Sequence, residues 1–164
     1  MKHKIKSSAL FSRCKPSPQH RYILERTWDK SKDVYLVICL NPSHSNSIRT
    51  DQTVDFLIGV VDELGGGSLL VANLFSKIAG NFGVLKSCSN PNNPINDRAI
   101  KKLEQKANTI IVAWGKDGKY QGRDNVVVGF LNQPLYCFGK NKDGSPTHPK
   151  LLQLKQLPIS LQIW

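Results

Sequence analysis

Four short apolar runs, each followed by a polar or small turn, constrain the fold of this chain more than any other feature. They read DVYLVICL from Asp33, SLLVANLF from Ser68, TIIVAWG from Thr109 and PLYCFG from Pro134. Stretches with helical spacing lie between them, so the order from residue 33 onward is β-α-β-α-β-α-β. This alternation predicts a three-layer α/β/α fold, with helices on both faces of a central, mostly parallel four-stranded sheet.

The first helix of this series has the clearest pattern. Its N-cap is Thr50 or Asp51, its stop is the run Gly65 to Gly67, and its apolar face carries Val54, Leu57, Ile58, Val61 and Leu64. Weaker helical patterns cover NDRAIKKLEQKA and GRDNVVVGFLNQ. The segment from Ser76 to Pro94 is polar, turn-rich and longer than a plain connector, which is typical of functional loops.

The first twenty residues differ from the rest of the chain. They are basic, lack Asp and Glu, and contain Pro-Ser-Pro, so we expect residues 1–20 to form a loosely ordered arm that can contact a polyanion. Residues 21–164 then form a single domain. It starts with RYILERTW, which alternates like a strand, and the short gap DKSK predicts an antiparallel hairpin between this strand and DVYLVICL.

Charge points to a polyanionic partner. The 164 residues include 23 Lys and Arg against 12 Asp and Glu, a formal net charge of +11. Nucleic acid is the first candidate, with DNA as the expected partner; an acidic membrane surface is the second, and a need for solubility alone also explains such an excess. We expect a monomer, although the sequence leaves the oligomeric state open.

Cysteine usage predicts a reducing, cytoplasmic environment. The four cysteines, Cys14, Cys39, Cys88 and Cys137, form no CxxC pair, and two of them lie inside apolar runs as small buried hydrophobes. A zinc or iron–sulfur site is therefore not expected, and neither is any other cofactor. The stretch SSALFS is too short for a signal-peptide core, and no later run approaches the length of a membrane span.

Polar side chains follow each of the four predicted strands. They occupy Asn41 to His44, Asn73 to Lys77, Trp114 to Lys116, and Lys140 to Lys150, which includes His148. Parallel strands end at one rim of the sheet, so one crevice collects an imidazole, two amides, an indole and several lysines. Cations in or next to these loops are Arg49, Lys77, Lys86, Lys116, Lys119, Arg123, Lys140, Lys142 and Lys150.

The motifs RYILERTW, LNPS, ANLF, AWG, GRD, LYCFG and HP, in this order, resemble a bacterial and phage family of unknown function, DUF1643, over nearly the whole chain after residue 20. A more distant resemblance is to uracil-DNA glycosylases, above all their mismatch-specific branch. It rests on four segments, each at the end of a predicted strand: Asn41-Pro42-Ser43-His44, Val71-Ala72-Asn73, Ala113-Trp114-Gly115 and His148-Pro149.

The second resemblance implies a uracil-DNA glycosylase-like fold and hydrolysis of the N-glycosidic bond of a modified or damaged base in DNA, after the base has been flipped out. Asn41 would position the water, and His148 would donate to the departing base. The base-binding residues would be Ser43, Asn73, Phe75, Phe56 and Trp114. The phosphate-binding residues would be His44, Arg49, Lys77, Lys116, Lys140, Lys142 and Lys150.

The chain departs from the glycosylase pattern at three places. Asn41 replaces a carboxylate, which removes a general base, so turnover should be slow unless the leaving group is activated. Ser43 stands where the uracil-specific enzymes carry a Tyr that crowds the pyrimidine, so a larger or modified base fits. Leu151 and Leu152 correspond loosely to the segment that wedges into the duplex, and core packing explains them equally well.

Simpler interpretations stay open for these residues. Asn41 and Ser43 suit a turn and a helix cap, Asn73 can be satisfied by a neighbouring loop, and His148 can be solvated. Core packing accounts for the aromatic residues Trp114, Phe75 and Phe56. The rival function is a non-catalytic module that binds nucleic acid or a nucleotide in the same crevice, and a third is an enzyme acting on a free nucleoside or nucleotide.

Overall fold

The computed structural model describes residues 5–13, 19–43, 51–152 and 159–164. No helix in these four ranges is long and apolar enough to cross a membrane. In chain order the elements are β1 Lys6–Phe11, β2 Arg21–Thr27, β3 Asp33–Cys39, α1 Gln52–Glu63, β4 Gly66–Asn73, α2 Phe82–Lys86, α3 Pro94–Glu104, β5 Thr109–Val112, a 3-10 segment Lys116–Gly122, α4 Arg123–Val128, β6 Leu135–Cys137, α5 Pro149–Leu152 and β7 Gln162–Ile163.

One mixed sheet of seven strands organises the fold, in the order β1-β2-β4-β3-β5-β6-β7. The predicted α/β class is confirmed. The sheet is larger than the predicted four strands plus one: β4, β3, β5 and β6 are mutually parallel, whereas β1, β2 and β7 pair antiparallel at the two sides. The additional strands β1 and β7 are short or polar, and their sequences lack the apolar pattern that marks the central four.

The predicted hairpin between β2 and β3 is wrong, because β4 lies between these strands. Both edges of β3 are already occupied by parallel partners, β4 and β5, so β2 pairs with the outer edge of β4 instead. The chain crosses the start of β4, where the backbone N–H groups of Trp28 and Asp29 donate to the Gly67 carbonyl at 2.9 and 3.0 Å. A Cβ on Gly67 would lie 1.9 Å from the Asp29 carbonyl oxygen, so this crossing requires glycine.

Part of the expected N-terminal arm is an ordered strand. Residues Lys6–Phe11 form β1 and pair along β2, from Lys6 opposite Thr27 to Phe11 opposite Arg21. Residues 1–4 and 14–18 of that arm lie outside the described residues, as does Cys14. The charged and polar side chains of this stretch suit an edge strand with one solvated face.

Two apolar cores cover the two faces of the sheet. Along β3, Leu36 and Ile38 point into one core, whereas Val37 and Cys39 point into the other, as strand alternation requires. The first core packs against α3 and α4, and the second packs against α1. Helix α1 forms as predicted, with Asp51 as the N-cap and Val54, Leu57 and Val61 buried; Val60 is buried as well, whereas Ile58 and Leu64 of the predicted apolar face are only partly buried. Cys39 and Cys137 are buried as predicted.

The order of the parallel strands creates a switch point at one rim. The chain leaves β3 toward β4 on one side and later returns to β5 on the other, so the ends of β3 and β5 diverge. Such divergence opens a crevice at the carboxyl ends of the strands. Because β2 is antiparallel to β4, the first residues of β2 reach the same rim.

Candidate functional site

A cavity of about 890 Å³ occupies this rim, on the α1 side of the sheet. This volume suits a nucleotide-sized ligand. Its lining includes eight of the site residues predicted from the sequence: Asn41, Ser43, Asn73, Trp114, Lys116, Lys142, His148 and Lys150. The rest of the wall is contributed by β2, α1, the loop before α2 and the loop around Asp143, through residues that include Arg21, Asp51, Val54, Leu57, Phe82 and Asp117.

Asn73 is a buried amide with an unused donor. It ends β4, is only 2% exposed, and its side chain makes no hydrogen bond to any of the residues that the structure describes. Its main-chain carbonyl, in contrast, accepts a 2.9 Å bond from Nδ2 of Asn96. A buried amide nitrogen without a partner costs about 1–3 kcal/mol, so native proteins seldom retain one without a use for it.

The Asn41 side chain is held in one orientation by the loop that follows β4. Its Nδ2 donates to the carbonyls of Ala79 at 2.8 Å and Pro42 at 3.3 Å, and the Ala79 N–H returns a bond to the Pro42 carbonyl. Two carbonyl partners fix the amide nitrogen on their side. The Asn41 Oδ1 atom accepts no bond from the described part of the chain, which leaves an oriented acceptor in the cavity wall.

His148 presents a defined donor. Its Nδ1 accepts a 3.1 Å hydrogen bond from the backbone N–H of Lys150, so the single proton of the neutral ring sits on Nε2. Burial, and secondly the charge of Lys150, lower the pKa of His148, while Asp117 opposes the shift. Gly115, with φ of 73°, brings the end of β5 so close that a Cβ there would lie 3.3 Å from the His148 Cβ.

Asp51 brings a carboxylate into the cavity. Its Oδ1 caps α1 by accepting from the Val54 N–H at 2.9 Å, and its Oδ2 accepts a hydrogen bond from the Ser43 hydroxyl. Arg21, only 2% exposed, is close enough to interact with Asp51 electrostatically. Burial lowers the pKa of Arg21 to about 10, against the opposing effect of Asp51. The cavity therefore holds a buried cation and an anion side by side.

Comparison with known proteins identifies the family. A family model described as "Protein of unknown function (DUF1643)" matches residues 21–150, most of the chain. The chain belongs to DUF1643. No curated protein and no solved structure matches it. The matched region runs from β2 into α5 and holds the ends of all four parallel strands, whereas β1 and β7 lie outside it.

The predicted aromatic contacts of this DUF1643 protein are distributed unequally. Trp114 lines the cavity but is 1% exposed, and it packs in the core edge-on against Trp164 with ring centroids 5.4 Å apart. Phe75 is fully buried in the core on the opposite face from α1, and Phe56, which belongs to α1, packs partly buried against the core under that helix; neither lines the cavity. Phe82, the first residue of α2 and part of the segment from Ser76 to Pro94 predicted to be functional, lines the cavity together with Trp114.

Of the cations predicted to bind phosphate, some line the cavity and others do not. Lys116, Lys142 and Lys150 line the cavity, whereas Lys77 donates to Gln19 and Lys140 belongs to a bridge with Pro146, and neither of these two lines it. His44 and Arg49 lie outside the described residues. Two further cations are already paired inside the protein: Arg123 with Asp97 at 2.5 Å, and Lys119 with Asp143 at 3.0 Å.

Arg21, Asp51 and Phe82 are the cavity residues that sequence reasoning missed as site residues. Asp51 was recognisable only as a helix cap. Arg21 reaches the rim because β2 pairs with β4. The prediction paired β2 with β3 instead, and so did not place Arg21 at the cavity. Phe82 begins α2, within the segment from Ser76 to Pro94, and the length and turn-rich composition of that segment were the signal that pointed to it. Within the described ranges, no three His, Cys, Asp or Glu side chains group as metal ligands.

Proposed function

We propose that this protein hydrolyses the N-glycosidic bond of a modified or damaged base in DNA, and that its rim cavity receives the extruded base. One observation carries the proposal: the Asn73 side chain belongs to the cavity wall, and its buried Nδ2 has no partner within the described residues. A base carbonyl would satisfy this donor. An amide reads a base edge well because its nitrogen donates and its oxygen accepts.

Two neighbouring groups support bond cleavage rather than simple binding. In the proposed reaction, water adds to the sugar C1′ while the C1′–N bond breaks and its electron pair leaves with the base. The proton that the water loses passes to solvent and the departing base takes one up, so the products are a sugar hydroxyl and the protonated free base. The Nε2–H of neutral His148 would donate to the oxygen or nitrogen on which that charge develops. The Asn41 Oδ1, oriented by the two carbonyl partners of its amide nitrogen, would accept from the attacking water.

Features at the cavity mouth support DNA as the carrier of the base. Lys116, Lys142 and Lys150 border the cavity, where the phosphates of a bound strand would pass. Leu151, beside them, is 60% exposed and also lines the cavity, so it is available to fill the gap that a flipped base leaves. The motif resemblance to uracil-DNA glycosylases points in the same direction, whereas membership of DUF1643 carries no activity of its own.

The wall near Ser43 supports a base larger than uracil. Ser43 is small and donates to Asp51, and no tyrosine stands at this point of the motif. The cavity volume of about 890 Å³ exceeds what an unmodified pyrimidine fills. A base with a substituent on its ring is therefore the proposed substrate.

A base-release assay tests the proposal. The protein is incubated with DNA carrying normal, deaminated, alkylated and phage-type hypermodified bases; free base is detected by mass spectrometry and abasic sites by alkali cleavage. We expect release from at least one modified DNA, and its loss in His148→Ala and Asn41→Ala. The matched control is Asn125→Ala, an exposed amide on α4 outside the cavity, which should retain full release.

The rival function predicts a different result in the same assay. A binding module would retain tight, salt-sensitive DNA binding and release no base from any substrate. An enzyme for free nucleosides would release base from nucleosides and gain little from a duplex. Either result would replace the glycosylase proposal.

A further inference from the structure

We propose that Asp51 is the negative charge that faces the sugar cation during bond cleavage, in the role that a carboxylate at position 41 would otherwise fill. This inference rests on the proposed function. It names the feature of the substrate that Asp51 would recognise, which is the positive charge that develops on the sugar. Asn41 at the end of β3 is neutral and supplies no negative charge to the site.

Asp51 lies in the right place for this role. It lines the same cavity as Asn41, Asn73 and His148, although it belongs to the start of α1, ten positions after Asn41. The Val54 N–H and the Ser43 hydroxyl hold its two oxygens in fixed positions. The anion is therefore preorganised.

A fixed anion in this cavity has a large effect on a developing cation. Opposite charges attract each other more strongly at a site that is partly shielded from water than they do in bulk solvent. Preorganised charge aimed at the place where charge develops is commonly the largest single contribution to catalysis. Arg21 beside Asp51 offsets part of the cost of burying the carboxylate.

Helix capping is the alternative role of Asp51, and the two roles separate cleanly. Asn and Ser cap helices about as well as Asp does, so Asp51→Asn and Asp51→Ser keep the cap while they remove the charge and the acceptor for the Ser43 hydroxyl. Asp55 provides the matched control. It is an exposed acidic residue in the first turn of the same helix, outside the cavity, and Asp55→Asn removes the same charge.

The experiment compares binding of two duplex oligonucleotides that differ only in charge at one sugar. One carries a pyrrolidine abasic analogue, which is cationic, and the other carries the neutral tetrahydrofuran analogue. We expect the wild-type protein to prefer the cationic analogue by at least about tenfold. The preference should fall to near one in Asp51→Asn and Asp51→Ser and persist in Asp55→Asn. Thermal unfolding of all four proteins checks that the helix cap is intact.

The outcomes for this inference and for the proposed function are distinct. A wild-type ratio near one, a preference for the neutral analogue, or a cationic preference that survives in both Asp51 variants overturns the role of Asp51, whatever the base-release assay shows. Absence of base release from every DNA overturns the proposed function, whatever the ratio. Failure to bind either duplex overturns both.

Discussion

The backbone N–H of Lys150 donates to Nδ1 of His148 at 3.1 Å, and this bond requires that Nδ1 carry no proton. Together with burial, which lowers the pKa of His148, it holds the ring neutral with Nε2–H as the available donor. A neutral donor stabilises a leaving base without the desolvation cost of a buried imidazolium. The same bond ties the imidazole to the first turn of α5.

His148 should make the stability of the protein depend on pH. The pKa of His148 in the folded protein is below the ordinary 6.5, so the unfolded chain binds the proton more readily. The stability that the neutral ring contributes is therefore fully present above pH 6.5. It is lost as the pH falls through the folded-state pKa. His148→Asn retains an acceptor for Lys150 but does not titrate. Between pH 7 and 5, we expect the melting temperature to fall more steeply in wild type than in this variant.

Thermal denaturation at a series of pH values measures that difference. His20, whose pKa is also lowered by burial and by Lys77, is present in both proteins and cancels. Each 1 kcal/mol corresponds to a shift of about 2–4 °C in a chain of this size. Parallel curves for the two proteins would contradict the prediction.

The two buried asparagines, Asn73 and Asn96, should respond oppositely to the same substitution. Asn73 makes no side-chain hydrogen bond within the described chain, so Asn73→Leu should leave the free energy of unfolding unchanged or raise it by about 1 kcal/mol. Asn96 is fully buried and its Nδ2 donates to the Asn73 and Leu74 carbonyls and to Asn92, so Asn96→Leu should cost at least about 1–3 kcal/mol.

Denaturant unfolding and base release, measured on both variants, separate a ligand-binding amide from a structural one. Asn73→Leu should lose base release while remaining stable. A clear loss of stability in Asn73→Leu would show that this amide has a structural role instead.

Adjacent leucines of α5 form a second contrasting pair. Leu152 is 2% exposed in the core beside α1, so Leu152→Ala should destabilise the protein by about 2–5 kcal/mol. Leu151 is 60% exposed, so Leu151→Ala should change stability by no more than about 0.5 kcal/mol. If Leu151 fills the gap left by a flipped base, its truncation should slow release from duplex DNA more than from single strands. Equal slowing on both would argue against that role.

The cavity lysines should set the salt dependence of duplex binding. Each phosphate contact contributes about 0.9 to the slope of log K against log salt concentration. Lys116→Ala, Lys142→Ala and Lys150→Ala should therefore each reduce the slope by up to that amount. Lys101→Ala is the control, because this exposed lysine of α3 lies over the Phe130 ring, outside the cavity. Titrations at several salt concentrations give the slopes, and a slope unchanged in all three variants would refute phosphate contacts at the cavity mouth.

The central strands and α1 were predictable because their patterns are local. Apolar runs and helical spacing report burial directly, and the end of a parallel strand fixes which residues share a rim. Asn41, Asn73, Trp114 and His148 all reach one cavity for this reason. Pairing between strands is not local. The position of β2 depended on which edge of β3 remained unoccupied, and no feature of RYILERTW records that β4 and β5 fill both.

The direction of side chains just after the strand ends was the second feature that could not be predicted from the sequence. Asn73 is paired with Cys39 and lies at the cavity, whereas Phe75, two positions later, packs in the opposite core because the chain has left the strand by then. Strict alternation would have put both residues on one face. The path of the chain after a strand decides which aromatic side chains face the cavity. For this reason Phe82, and not the predicted Phe75, lines the cavity wall.

The contact between Trp114 and Trp164 gives the protein an optical property. Two of its three tryptophans form one edge-on pair at the cavity wall, and the third, Trp28, is hydrogen-bonded to Asp62 at the far end of α1. Light absorbed by either indole of the pair is readily shared between them at 5.4 Å. One emitter of the unlabelled chain, Trp114, therefore stands in the cavity wall, so the intrinsic fluorescence of the protein includes a signal from its cavity.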